Sequence, residues 1–154
     1  MLLVLVLALA LGACGRIGNP YVRSDGTDRK LTQELTDAFK GAADNGTAID
    51  LGWVVAGPWT RLAFVCPYED ERVAEETLGF QWKGFLGEDD TEGRALFVFA
   101  SDGAVLKWTG ISREHGDPCG ASPNLPRSTT RSDATFGILA TEPGFLTLAP
   151  VKIN

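Results

Sequence analysis

His115, the only histidine of the chain, lies in the run Arg113-Glu114-His115-Gly116-Asp117-Pro118-Cys119. Glu114, His115, Asp117 and Cys119 are all donor types that zinc accepts. Zinc sites, however, draw on recognisable paired spacings of Cys and His, which are absent, and oxidation of Cys119 would remove the one thiolate. The run reads as an exposed turn. Glu88-Asp89-Asp90-Thr91-Glu92-Gly93 sets oxygens at alternate positions ahead of a glycine, as the first half of a calcium loop does. The twelfth position is Phe99, where a bidentate Glu is required, so a solvated acidic loop is expected. Nucleophilic catalysis has no scaffold: there is no Gly-x-Ser-x-Gly elbow, and His115 would have to be the base. No Gly-rich phosphate loop ends in Lys-Ser or Lys-Thr, and no cofactor is implied. With 20 Asp and Glu, pairs of carboxylates arise by chance, so hydrolysis by two carboxylates rests on no particular pair. Trp53, Trp59, Trp82 and Trp108 fall in or beside expected elements. Core packing is their usual fate, whereas a shared exposed face would suggest glycan or peptide binding.

The elements that must position these residues follow from periodicity. Residues 28–43 predict an amphipathic helix, with Leu31, Leu35, Ala38, Phe39 and Ala42 on one face. Asp25, Thr27 and Asp28 offer N-cap oxygens, and Asn45-Gly46 offers a stop. The apolar run 49–55 predicts a short strand, broken by Gly57-Pro58. Residues 59–66 predict a central strand, apolar on both faces, with Leu62, Phe64 and Cys66 on one side and Trp59, Arg61, Ala63 and Val65 on the other. Pro67 ends it. A short helix is expected over 70–78, with acids at its N-terminal end and Gly79 at its C-cap. Runs 95–100 and 104–109 meet at Ser101-Asp102-Gly103, a strong hairpin signal. Residues 112–133 read as a long loop, and 134–141 and 145–149 as two further strands around Glu142-Pro143-Gly144. The resulting fold class is α+β: an antiparallel sheet of about five strands, meander-like in its C-terminal half, packed with two helices. The first helix is expected to cover one sheet face.

The N-terminal end carries an address. Residues 2–13 are uncharged and apolar; as a helix they would span only about 18 Å, short of a hydrocarbon core. They suit the apolar region of a secretory signal. Leu11-Gly12-Ala13-Cys14 resembles the lipobox of bacterial lipoproteins. That resemblance implies diacylglycerol transfer to the Cys14 sulfur, cleavage ahead of Cys14 and acylation of the new amine, a two-chain anchor. The expected organisation is a signal peptide over 1–13, a flexible tether over 14–27 and one domain over 28–154. Lipidation of Cys14 leaves Cys66 and Cys119 as an even pair in an exported chain. The choice is then a disulfide or a buried thiol beside a reactive one, and the oxidising compartment points to the disulfide. It would close a loop of about 50 residues, worth about 4 kcal/mol in the chain-entropy model. Asn45-Gly46-Thr47 matches a glycosylation acceptor, to which a bacterial lipoprotein gives no use.

The segment Trp59-Thr60-Arg61-Leu62-Ala63-Phe64-Val65-Cys66-Pro67-Tyr68, followed by a helix ending Leu78-Gly79-Phe80 and by Trp82, resembles a group of small uncharacterised bacterial exported lipoproteins. They share a Trp-x-Lys/Arg strand, a Pro-Tyr turn and an acidic helix ending in Leu-Gly. Thr60 stands where that group usually has Asp, and Cys66 where it usually has Gly. The resemblance covers roughly residues 48–110 and implies an exported lipoprotein without assigning an activity. Trp59, Arg61 and Tyr68 are its marked positions, either a recognition patch or part of the core. The chain is acidic, with net charge −6, which gives no footprint for a phosphate backbone and argues against nucleic acid as a partner. The expectation is a non-enzymatic envelope module, held to the membrane through lipid at Cys14 and binding an envelope protein or a cell-wall ligand. A carboxylate hydrolase and an inhibitor or immunity protein acting on a secreted enzyme are the alternatives.

Overall fold

A computed structural model describes residues 28–82, 93–120, 125–142 and 144–151. Helix α1 (Arg29–Asn45) starts where Asp28 supplies the cap: its carboxylate accepts from the Lys30 and Leu31 amides at 3.0 and 3.1 Å. It ends at Gly46, whose φ of +61° places it in the left-handed region. Leu31, Leu35, Phe39 and Ala42 are its buried face, the 3.6-residue stripe that a core-facing helix needs. Strand β1 (Ile49–Asp50) then runs directly into a single helical turn, α2 (Leu51–Val54).

The chain continues as β2 (Arg61–Val65), α3 (Glu71–Leu78), the hairpin β3 (Arg94–Ser101) and β4 (Ala104–Ser112), the short β5 (Ser128–Thr130), a 3-10 turn over Arg131–Asp133, and the hairpin β6 (Thr135–Glu142) and β7 (Phe145–Pro150). Helix α3 is capped by Asp70, which accepts from the Val73 amide at 3.0 Å, and closed by Gly79 at φ +78°. Asp102 and Gly103, at φ +50° and +76°, make the tight turn of the β3–β4 hairpin, the geometry that an Asp-Gly pair favours.

The strands form two antiparallel sheets, ordered β4-β3-β2-β5 and β1-β6-β7. Strand β3 is apolar and buried from Ala95 to Ala100 because its sheet is covered on both faces. Ala95, Phe97 and Phe99 join Leu62 and Phe64 of β2 in the main core, with the face of α1 and with Phe136 and Leu148 of the smaller sheet. Leu96, Val98 and Ala100 face the other way, onto Ala74 and Leu78 of α3 and onto Trp82 and Trp108. Phe64 stands edge-on to both Phe97 and Phe136, with ring centroids 5.2 and 5.7 Å apart, and so joins the two sheets.

The α+β class holds, and α1 does cover a sheet face. Three details differ from the sequence reading. Among the described residues the antiparallel strands number seven and divide between two sheets, with three helices. The run 49–55 is not one strand: the Asp50 carboxylate accepts from the Gly52 and Trp53 amides at 2.8 and 3.3 Å and turns the chain into α2. Nor is 112–133 wholly loop, since β5 pairs with β2 through Thr130–Arg61, Thr129–Leu62 and Ser128–Ala63. Polar residues suffice there because β5 is an edge strand and contributes its backbone.

Candidate functional site

A shallow pocket of about 510 Å³ opens where α2, the start of β2 and the end of β5 converge; Asp50, Gly52, Trp59, Thr60, Thr130, Arg131 and Ser132 line it. Its floor is Trp59, 1% exposed, whose indole N–H donates to the Val55 carbonyl at 2.8 Å and whose ring meets Phe99 edge-on at 5.1 Å. Arg131 lies across the outer face of that ring, its guanidinium 5.0 Å from the ring centre, within cation–π range. The guanidinium also donates to the Gly57 carbonyl and, at 2.8 Å, to the Gly52 carbonyl. Gly52 has to be glycine here: a Cβ would stand 2.8 Å from the Arg131 carbonyl oxygen and 3.0 Å from Asp50 Oδ1. Hydroxyls and a carboxylate form the rim. Thr130 Oγ1 donates to Asp133 at 2.6 Å and contacts Ser132 Oγ at 2.9 Å.

Trp53, the residue after Gly52, is 88% exposed. Of the four tryptophans it alone stands in solvent; Trp59, Trp82 and Trp108 are buried, the last two packed edge-on to one another at 5.6 Å. An indole in water on a turn pinned by the Asp50 cap has no packing reason to be there. Trp53 follows the pocket-lining Gly52 in the chain without itself lining the pocket, and it offers a flat apolar face that a sugar ring or a peptide side chain can stack on.

The three positions of the family-like segment separate. Trp59 belongs to the main core, on the side of Leu62 and Phe64 rather than that of Arg61. The strand begins only at Arg61, so its alternation does not extend back to Trp59. Arg61 is exposed and donates to the Leu78 carbonyl at 2.5 Å, a cation at the C-terminal end of α3. Tyr68 is not part of the core: it is 70% exposed and holds a φ of +66° in the turn between Pro67 and α3. The left-handed backbone there turns the ring outward, away from any cover.

Cys66 and Cys119 are joined as a disulfide, with Cα atoms 5.7 Å apart. The surrounding 113–119 run is built by polar contacts. Asp117, 1% exposed, accepts from Arg113 Nε and Nη2 at 2.8 Å and from the Cys119 amide at 2.8 Å. Its backbone pairs with Leu146 and Leu148 of β7. Among the described residues no group of three or more His, Cys, Asp or Glu could hold a metal ion. Cys14, the tether and most of the acidic loop lie outside the described residues. Among the described residues no helix is long and apolar enough to cross a membrane.

Two further clefts are smaller. One, of about 370 Å³, lies between Arg61, Gly79 and the Asp102-Gly103 turn; the other, of about 390 Å³, lies between α1 and the β4 edge. No family model, curated protein or solved structure matches the chain. The first pocket has one lining carboxylate, Asp50; the second cleft has Asp102, and the third has none. Among the described residues none of the three therefore holds the pair that general acid–base hydrolysis of a glycosidic bond uses. Sequence reasoning named Trp53 without seeing its exposure and missed Arg131 altogether. Its one local signal is a guanidinium within reach of an aromatic, and the two residues are far apart in the chain.

Proposed function

We propose that this chain is an exported, lipid-anchored module of the bacterial envelope that binds a cell-wall glycan without transforming it. The observation that carries the reading is Trp53, 88% exposed and next in the chain to Gly52 of a hydroxyl-rimmed pocket whose cation rests on a buried tryptophan. Sugars present apolar C–H faces and a fringe of hydroxyls. An exposed indole takes the first, and Arg131, Asp50, Thr60, Thr130 and Ser132 take the second. The pocket volume is in the range of small-molecule sites. Its shallow form suits one stretch of a longer polymer.

The lipobox-like Leu11-Gly12-Ala13-Cys14 supports the address, since an anchor at Cys14 would hold the domain beside the wall. A disulfide between Cys66 and Cys119 suits an oxidising compartment. Carboxylate hydrolysis is less well supported, because none of the three clefts brings two carboxylates together. The experiment is co-sedimentation of the mature protein with insoluble peptidoglycan, wild type against Trp53→Ala. The wild type is expected in the pellet and the variant, equally folded, in the supernatant. Equal sedimentation of the two would defeat the reading.

A further inference from the structure

We propose that the cleft between α1 and the β4 edge binds a phosphate-bearing anion, with Arg29 and Arg94 as its ligands. The site is separate from the tryptophan pocket and does not depend on the glycan reading. The cleft, about 390 Å³, is lined by Arg29, Thr32 and Thr36 from one face of α1, by Arg94 and Ser112 from β3 and β4, and by His115. Among the described residues no carboxylate lines it.

What sets it apart is the state of its arginines. Five other described arginines are engaged: Arg61 with the Leu78 carbonyl, Arg72 with Glu76, Arg113 with Asp117, Arg127 with Glu69, and Arg131 with two carbonyls and Trp59. Among the described residues Arg29 and Arg94 have no ion pair, and both open into this one cleft. In a chain of net charge −6, two guanidinium groups with no ion pair among the described residues share one concavity, where each would attract an anion. An anion held in the cleft would be attracted to both. Guanidinium forks match the geometry of phosphate oxygens, and nearby hydroxyls add donors. Thr32 is not one of them, because its hydroxyl donates to the Asp28 carbonyl at 2.9 Å and meets Thr109. Thr36 and Ser112 remain.

Phosphate can come as a lipid headgroup or as a soluble phosphate. Arg29 is the first residue of α1, where the domain joins its tether, so an anchor at Cys14 would keep this end near headgroups. That source alone leans on the anchor reading. The test uses the full chain and its Arg29→Gln/Arg94→Gln form, with Arg72→Gln as a charge control. Binding of inorganic phosphate is followed by calorimetry at constant ionic strength. Partition onto phosphatidylglycerol vesicles is measured relative to phosphatidylcholine vesicles. Insertion through an acyl chain is common to both vesicle types and cancels in that ratio. Each arginine removed should weaken the cleft about tenfold, as a lost charge-assisted contact does, while Arg72→Gln changes little. Phosphate binding without a vesicle preference assigns the cleft to a soluble phosphate; a preference lost in the double variant assigns it to headgroups. Absence of both, or binding of either kind that is indifferent to Arg29 and Arg94 in variants that melt like wild type, overturns the proposal.

Discussion

Replacing Trp59 by Ala separates a core tryptophan from a recognition tryptophan, because Trp53 provides the contrast six residues away. Trp59 is 1% exposed, packs edge-on against Phe99 and donates its indole N–H to the Val55 carbonyl. Truncating a buried large aromatic costs about 3–5 kcal/mol. The stranded Val55 carbonyl and the lost seat of Arg131 place the expected value in the upper half of that range. With a urea slope of about 2 kcal/mol per molar, the midpoint should fall by about 2 M. Trp59→Phe keeps most of the packing and loses the hydrogen bond, so its cost should be about 1–2 kcal/mol. Trp53→Ala removes a side chain that water already surrounds and should stay within about 0.5 kcal/mol of wild type. The assay is urea denaturation of the oxidised protein, followed by far-ultraviolet circular dichroism so that loss of a fluorophore does not matter. A Trp59→Ala midpoint within 0.3 M of wild type, an order-of-magnitude bound on the same slope, would refute the placement of Trp59 in the core and the pocket built on it.

Cys14→Ala should release the protein from the membrane fraction or leave the precursor uncleaved; mass spectrometry finding an unmodified mature N-terminus at another residue would contradict the anchor. Reduction, or Cys66→Ala with Cys119→Ala, should lower stability by about 2–4 kcal/mol through the loop it frees, and two titratable thiols in unreduced protein would rule the bridge out. Gly52→Ala forces a Cβ to within 2.8 Å of the Arg131 carbonyl; a loss of about 1–3 kcal/mol in the denaturation midpoint, with weakened glycan binding, is expected.

Much of this fold could be read before the structure was seen, and the reasons are physical. The stripe of α1, its Asp28 cap and the Gly46 stop are local signals that agree with one another. So are the Asp-Gly hairpin and the doubly apolar β2. What was hidden depended on partners distant in the chain. Asp50 falls inside the apolar run 49–55, and nothing in that run marks its carboxylate as the cap of α2. Strand β5 carries no hydrophobic pattern, because an edge strand needs only its backbone to pair with β2. The exposure of Tyr68 and its positive φ have no signature in Pro-Tyr-Glu. The candidate site was the least legible part. Trp53 and Trp59 are indistinguishable by type, and only the Arg131 contact and the burial of one ring divide their roles.

The central claim is that Trp53 and the Arg131 pocket meet a cell-wall glycan. Iodide quenching of tryptophan fluorescence tests it most directly, because three of the four indoles are buried and the quenchable signal belongs to Trp53. The mature protein is titrated with soluble peptidoglycan disaccharide-peptides at fixed ionic strength. The account predicts that the quenchable fraction falls as ligand is added, and that Trp53→Phe abolishes that fraction from the outset. Quenching that stays the same at every ligand concentration, in a protein whose Trp53→Phe form has lost the accessible signal, would contradict it.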